Sequence, residues 1–346
     1  MDTKVYYISN DEAVIKEAAD CIKNGNTVAF PTETVYGLGA NALDKNACDK
    51  IFKAKGRPQD NPLIVHVADK DISEYVKEIP SSASRLIDEF WPGPLTIILP
   101  KKDIIPIEVT GGLKSVAIRM PKAKVARDLI KAAGVPIAAP SANLSGKPSP
   151  TTVEHCIRDL SGRVSMILGG QVSECGLEST IVEVTGDKVT ILRPGAITFE
   201  MITELGIKVE VDPVVMKTLT NESPRCPGMK YRHYAPESEM EIVLGDNQKV
   251  VEYINDNTKK LSSQGKKVMV ISTSENLNRY KNSFVLNIGS RSNLPEVASR
   301  LFDVLRECDT IGVDVIYSEG FSDEGVGMAI MNRLRKAASH RITKLD

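Results

Sequence analysis

Residues 30–67 read FPTETVYGLGANALDKNACDKIFKAKGRPQDNPLIVHV, and the organisation of the whole chain follows from this stretch. The run Thr27–Phe30 leading into it is β-branched and aromatic, hence a strand, and Pro31 ends it. Thr32, Glu33, Thr34, Tyr36, Gly37 and Gly39 then form a polar, flexible loop. Asp44 is placed to cap a helix that Gly56 stops. Leu63–Val67 is the next strand, so the reading is strand, loop, helix, loop, strand. Lys50, Lys53 and Lys55 in the helix, and Arg57 just after it, set positive charge beside hydroxyls and glycines. That composition suits an anionic small molecule better than a packed core.

On the N-terminal side, Asp11–Asn24 carries apolar residues at helical spacing with Gly25 as its stop. On the C-terminal side, Ser82–Phe90 reads as a helix broken by Trp91-Pro92-Gly93-Pro94. Leu95–Leu99 and Val116–Met120 are strands, which places Arg119 near a strand end. A helix over Ala123–Ala133 stops at Gly134, and the short strand Ile137–Ala139 runs into Pro140-Ser141-Ala142-Asn143. Thr151 or Thr152 caps a helix to about Leu160. Ser179–Val184 and Val189–Leu192 form a hairpin about Thr185-Gly186-Asp187. Parallel and antiparallel pairings are therefore mixed in one twisted open sheet of an α/β domain. Asp212–Ser238 is punctuated by Pro213, Pro224, Pro227 and Pro236 and reads as a linker. From Glu239 onward strands and helices alternate, which implies a smaller, doubly wound parallel α/β domain. It has no GxGxxG and no Walker lysine.

A chain of 346 residues favours two domains, and 42% hydrophobic with 26% charged residues describes an ordinary globular protein. A net charge of −1 and 5% aromatics argue against a dominant nucleic-acid binder. Basic residues cluster only locally, with eight Lys/Arg against three Asp/Glu from Lys101 to Lys131. The six cysteines have no CxxC and irregular spacing, which reads as reduced thiols. The N-terminus lacks the order of a signal peptide, and no apolar run approaches membrane-spanning length. The expected location is cytoplasmic.

Each candidate residue admits two readings. The run Lys50, Lys53, Lys55, Arg57 is either a solvated helix face or a phosphate clamp. His66, on a predicted strand, is either a satisfied core histidine or part of a pocket with Thr34. Arg119 lies in an apolar strand and needs a partner, either Glu178 or Glu183 or a ligand carboxylate. Ser141, Asn143, Ser145, Ser149 and Thr151 either bond locally in turns or converge before a helix N-terminus that favours anions. Gly37-Leu-Gly39 is a weak glycine signal. Gly111-Gly112-Leu113-Lys114-Ser115 lacks the first glycine of a P-loop, and no Ser–His–Asp or metal-ligand spacing stands out. The residues alone give a mixed α/β domain with a polar, basic pocket for a phosphorylated small molecule.

The ordered blocks PTETVYGLG, KAKGRPQDNPLIVHV, FWPGPLT, VAIRMP, PSANLSGKPSPT, ESTIV and LRPGAI resemble those of the YrdC family, in its longer two-domain form of threonylcarbamoyl-AMP synthase. SPRCPGMKYRHYAP resembles that form's interdomain linker. The resemblance implies a YrdC-like catalytic domain over 1–208, a linker and active-site lid over 209–238, and a Rossmann-like domain over 239–346. It implies that L-threonine, bicarbonate and ATP become L-threonylcarbamoyladenylate and diphosphate. A separate tRNA threonylcarbamoyltransferase complex then modifies the adenosine beside the anticodon. Threonine contacts are implied at Thr34, His66, Arg119, Ser179 and the backbone of Ala139. ATP contacts are implied at Lys55, Arg57, Asn61, Thr110, Ser141, Asn143, Ser149, Arg193 and Tyr234, with Lys55 and Arg57 catalytic. Mg²⁺ is expected on ATP oxygens and water, with no protein metal site, and the chain is expected to be a monomer. The competing class is a double-stranded RNA or tRNA-binding module using Lys101–Lys131. A carbamoyl-transfer role of the kind used in hydrogenase maturation would call for acylphosphatase and zinc-finger segments that this chain lacks.

Overall fold

Caps and stops set the local structure. The Asp44 carboxylate accepts from the backbone N–H groups of Asn46 at 2.8 Å and Ala47 at 3.3 Å, starting a helix that Gly56 ends in the left-handed conformation at φ 61°. Asp11 and Thr152 start two other helices in the same way. The structure, a computed structural model, describes residues 2–7, 11–170, 172–215, 225–227 and 234–345. The chain divides into two units, Met1–Ser145 with Ser149–Tyr231, and Gly146–Pro148 with Arg232–Asp346.

The first unit runs β1 (Lys4–Tyr6), α1 (Glu12–Lys23), β2 (Val28–Phe30), β3 (Gly37–Asn41), α2 (Lys45–Lys55), β4 (Ile64–His66), α3 (Ser81–Phe90), β5 (Leu95–Pro100), β6 (Ser115–Arg119), α4 (Lys124–Ala133), β7 (Ile137–Ala139), α5 (Val153–Leu160), β8 (Met166–Leu168), β9 (Thr180–Thr185), β10 (Lys188–Arg193), α6 (Phe199–Glu204) and β11 (Lys208–Val211). Its strands form one sheet in the order β1-β8-β2-β3-β7-β4-β6-β5-β9-β10-β11, with parallel and antiparallel neighbours mixed. The expected hairpin is β9–β10.

Strand alternation divides the apolar side chains between two faces. Ala29, Leu38, Val65 and Ile118 pack into the larger core with Ile51 and Phe52 of α2 and Leu86 of α3. On the other face, Val28, Phe30 and Ile137 pack against Ala18 and Ile22 of α1 and Leu129 of α4. Farther along that second face, Ile64, Ile98, Ala117, Ile181 and Leu192 form a cluster whose remaining member is Cys226. Arg225 anchors this segment, donating to Glu183 at 2.9 Å and pairing with Asp212.

The sequence reading changes in two places. Gly37–Asn41 is a strand antiparallel to β2, not part of a loop. A Cβ at Gly39 would lie 2.6 Å from Ile137 Cγ2 and 2.7 Å from Phe30 Cε1, so this glycine serves close packing against Phe30. Val209–Val211, expected in the linker, belong to β11, which pairs in parallel with β10.

The second unit runs β12 (Glu239–Leu244), α7 (Asn247–Ser263), β13 (Val268–Thr273), β14 (Phe284–Gly289), α8 (Leu294–Ile311), β15 (Val315–Glu319), α9 (Val326–Ala337) and β16 (Ile342–Lys344). Its sheet has the order β14-β13-β15-β12-β16 and every pairing is parallel. Val243, Val268 and Val270 pack there against Val250, Val251 and Ile254 of α7. No helix among the described residues is long and apolar enough to cross a membrane. The six cysteines form no disulfide, and burial pushes the thiols of Cys48 and Cys308 up to about 12.

Candidate active site

His66 and Arg119 are Cα partners in the parallel pair β4–β6, so both side chains leave the sheet on the face that also carries Ile64 and Ala117. Arg119 is buried and held on three sides. Its Nε donates to the Gly93 carbonyl at 3.2 Å, Nη1 to Thr34 Oγ1 at 2.8 Å and Nη2 to Glu33 Oε1 at 2.6 Å. Glu33 Oε2 also accepts from the Ala123 N–H at 3.2 Å. The expectation of Glu178 or Glu183 as the protein partner of Arg119 is therefore corrected. Glu178 accepts from Ser149 Oγ at 2.6 Å, and Glu183 accepts from Arg225. Burial, the largest single influence, would raise the Glu33 carboxyl, but the Arg119 charge together with the hydrogen bonds from Arg119 and the backbone holds the group below its ordinary range.

The hydroxyls beside this pair have fixed directions. Thr32 donates to the Val35 carbonyl at 2.6 Å, so Thr34 is the donor in the 2.9 Å contact between the two threonines. Thr34 in turn accepts from Arg119. His66 Nδ1 lies 3.1 Å from the Ile64 carbonyl, which can only accept, so Nδ1 carries the proton. Burial, reinforced by the Arg119 charge, lowers the imidazole to about 3, so it is neutral at neutral pH. Ala139 ends β7, antiparallel to β4 and opposite Ile64. Ser179 Oγ shares a 2.7 Å hydrogen bond with Thr96, and Arg193 donates to both the Ser179 carbonyl at 3.0 Å and its hydroxyl at 3.1 Å.

The basic run divides. Lys50 and Lys53 are exposed, the solvated face. Lys55 is buried, and its Nζ donates to the Ser141 carbonyl at 2.5 Å, to the Asn143 carbonyl, and to Asn143 Oδ1 at 3.4 Å. Ser141 Oγ donates to Asn143 Oδ1 at 2.5 Å, so the last turn of α2 and the 141–143 loop form one polar unit. Arg57 donates to the carbonyls of Asn61 at 3.3 Å and Pro62 at 3.1 Å. Among the described residues the buried Asn61 Oδ1 has no hydrogen-bond partner, an acceptor that a ligand donor would satisfy. Thr110 donates within its own turn, to Ile107 at 3.1 Å and Leu113 at 2.8 Å, and that turn packs on the backbone of residues 60–62.

The N-terminus of α5 is satisfied internally, Thr152 capping His155 N and Thr151 N donating to His155 Nδ1 at 3.3 Å. Ser149 turns instead to Glu178. Tyr234 belongs to the second unit, where its ring stacks on Phe302 with centroids 5.0 Å apart. Lys230, Tyr231, Arg232 and His233 of the expected lid lie outside the described residues. The sequence reading missed Glu33 as the pair of Arg119 and Asp159 as acceptor from Leu144 N at 3.3 Å. An acid set between Thr32 and Thr34 in a polar loop was the only sequence signal for Glu33, and it does not name Arg119.

The model of the Sua5/YciO/YrdC family, described as telomere recombination, matches residues 20–195. The chain belongs to this family. The Sua5/YciO/YrdC segment holds every site residue above except Tyr234. Tyr234 falls in residues 197–339, which match a model described as the C-terminal domain of threonylcarbamoyl-AMP synthase. The threonylcarbamoyl-AMP synthase of Pyrococcus abyssi is 46% identical over 336 residues, covering 97% of each chain. That of Bacillus subtilis is 45% identical over 99% of this chain and all of its own length. The crystal structure of P. abyssi Sua5 complexed with L-threonine superposes with a TM-score of 0.92 at 45% identity, covering 100% of this chain and 99% of the other. Among the described residues, no group of three or more His, Cys, Asp or Glu stands where it could hold a metal ion.

Proposed function

We infer that this chain makes L-threonylcarbamoyladenylate and diphosphate from L-threonine, bicarbonate and ATP, through residues that include Arg119, Lys55 and Arg193. The product serves threonylcarbamoyladenosine modification of tRNA beside the anticodon. The single observation that carries this assignment is the holding of Arg119. Three of its five N–H groups are committed to Gly93, Thr34 and Glu33, which fixes the guanidinium and leaves two for a substrate carboxylate. Glu33 keeps the buried cation neutralised before substrate arrives. The threonine-bound relative supports the same occupant here.

Thr34 has spent its proton on Thr32 and one lone pair on Arg119, and its remaining lone pair suits the ammonium or hydroxyl of threonine. His66, neutral, adds shape and polarity without charge. The threonine amine bonds to the bicarbonate carbon with loss of water, and a carbamate oxygen then displaces diphosphate at the α-phosphorus. Lys55 and Arg57 stabilise that charge as diphosphate departs, so their contribution is electrostatic, and Arg193 adds a contact to ATP. The contact from Lys55 to Asn143 Oδ1 is long at 3.4 Å, and a phosphate oxygen would replace it readily. Positioning supplies the remainder. Mg²⁺ would ride on ATP oxygens and water, since Glu33 and Glu178 are already engaged with Arg119 and Ser149. The product then passes to a separate transferase complex.

Incubation with ATP, bicarbonate and L-threonine should release diphosphate only when threonine is present. Release of orthophosphate, or indifference to threonine, would falsify the assignment. Arg57→Ala should lower kcat by about 10²–10³ with little change in threonine affinity.

A further inference from the structure

The second unit carries a cavity that this reaction does not use. β12 and β15 are neighbours in its parallel sheet, but the chain leaves them in opposite directions. From β12 it crosses toward β13, and from β15 it crosses toward β16. Each connection thus passes over the other strand, and right-handed crossovers send the two to opposite faces, which opens a crevice at the carboxyl edge, the place where open α/β sheets bind ligands. A cavity of about 310 Å³ lies there, between Gly245 and Asn247 after β12 and Gly320 to Ser322 after β15, with Arg291 from the loop after β14. Its size is at the lower end of small-ligand pockets, roughly 300–1,000 Å³.

The polar wall is built. Glu319 ends β15 with its side chain wholly buried. It accepts from Ser272 Oγ at 3.1 Å, from Thr273 N and Oγ1 at 3.0 Å each, from Asn276 Nδ2 at 3.0 Å, from Tyr280 at 3.0 Å and from Arg291 Nη2 at 2.7 Å. A carboxylate bonded on every side fixes the guanidinium in front of it. Arg291 Nη1 donates to the Gly320 carbonyl at 2.8 Å, and the guanidinium lies 5.2 Å over the Phe321 ring. Its side chain is still 42% exposed, with N–H groups to spare beside the cavity. The facing wall is apolar, made by Val243, Leu244 and Val250.

Charge selects among anions. The donors at the head of α7 are already taken by the Asp246 carboxylate, which accepts from Gln248 N at 2.9 Å and Lys249 N at 3.3 Å. A phosphate there would meet a carboxylate, not open amides. Arg291 brings one positive charge and Glu319 already balances it. A single negative charge on an apolar body fits this wall better than a polyanion.

We propose that this crevice binds a small organic carboxylate, its carboxylate on Arg291 and its aliphatic or aromatic body on Val243, Leu244 and Val250. The probes are the aliphatic and aromatic L-amino acids and their 2-oxo acids, titrated calorimetrically into the full chain, with the methyl esters as controls. At least one acid should bind saturably at one site, and its ester should bind at least tenfold more weakly. Arg291→Met should weaken binding at least tenfold. Ser322→Trp, at the exposed rim, should do the same while leaving the Arg291–Glu319 pair intact. Arg119→Ala should leave it unchanged, which separates this site from the threonine pocket. The proposal fails if no acid binds below about 10 mM, if binding survives both cavity variants, or if Arg119→Ala abolishes it.

Discussion

Two Arg–Glu pairs, one in each unit, show how the same two residues are put to different use. In the first unit Glu33 and Arg119 are both buried, and Glu33 has few other partners, the Ala123 N–H among them. In the second, Glu319 is just as buried but gathers donors from Ser272, Thr273, Asn276 and Tyr280 besides Arg291, and its arginine is 42% exposed. Glu33 therefore depends on its arginine, and Arg119 on Glu33. Glu319 depends on Arg291 for little. Burial of a charge is tolerable either through one strong partner or through many weak ones, and only the first makes the two residues hostage to each other.

The largest expected effect comes from breaking the dependent pair. Glu33→Ala leaves Arg119 buried without a counter-charge and should destabilise the chain by about 3–5 kcal/mol, read as a shift of the urea midpoint. A loss below about 1 kcal/mol would put the two pairs on an equal footing. Next comes Arg119→Ala, measured where the variant is folded. Threonine should bind about ten- to a hundredfold more weakly, a loss of about 1.5–3 kcal/mol, with ATP binding little changed. Equal loss of both ligands would assign Arg119 to structure alone.

Acid should act on the first pair in a defined direction. His66 titrates at about 3 in the folded chain against an ordinary 6.5, so between these values the unfolded chain binds the extra proton. Stability should fall as pH drops from 6.5 toward 3, and Glu33, held low, should add to the loss below its ordinary 4.5. Urea midpoints from pH 7.5 to 4.5 measure this, and His66→Gln should flatten the upper part of the slope. A midpoint independent of pH over that range would contradict it. The smallest effect is expected at Arg291→Met, about 1 kcal/mol or less, because the arginine is exposed and Glu319 keeps its other donors. A loss as large as that of Glu33→Ala would erase the contrast between the pairs.

Much of this was legible in the sequence because it is local. Asp44 and Gly56 bound α2 by capping chemistry, and Thr185-Gly186-Asp187 announces the β9–β10 hairpin. Strand β3 was not legible, since its glycines lower any strand signal and are explained by the Phe30 ring and the β7 side chains packed on them. The residues of the candidate site could be named, but their partners could not. Glu33 and Arg119 are 86 positions apart, and no spacing rule joins a loop carboxylate to a strand end at that separation. The basic run shows the same limit, for Lys53 and Lys55 look alike in sequence and only burial separates them.

The protonated thiols of Cys48 in α2 and Cys308 in α8 give the molecule two internal clocks. Alkylating reagents attack the thiolate, and a buried group titrating at about 12 offers almost none until its helix opens. The rate at which each cysteine becomes labelled therefore times the opening of its own surroundings. One residue reports on each unit, so a single labelling experiment on the intact chain reads whether the two halves loosen together or apart.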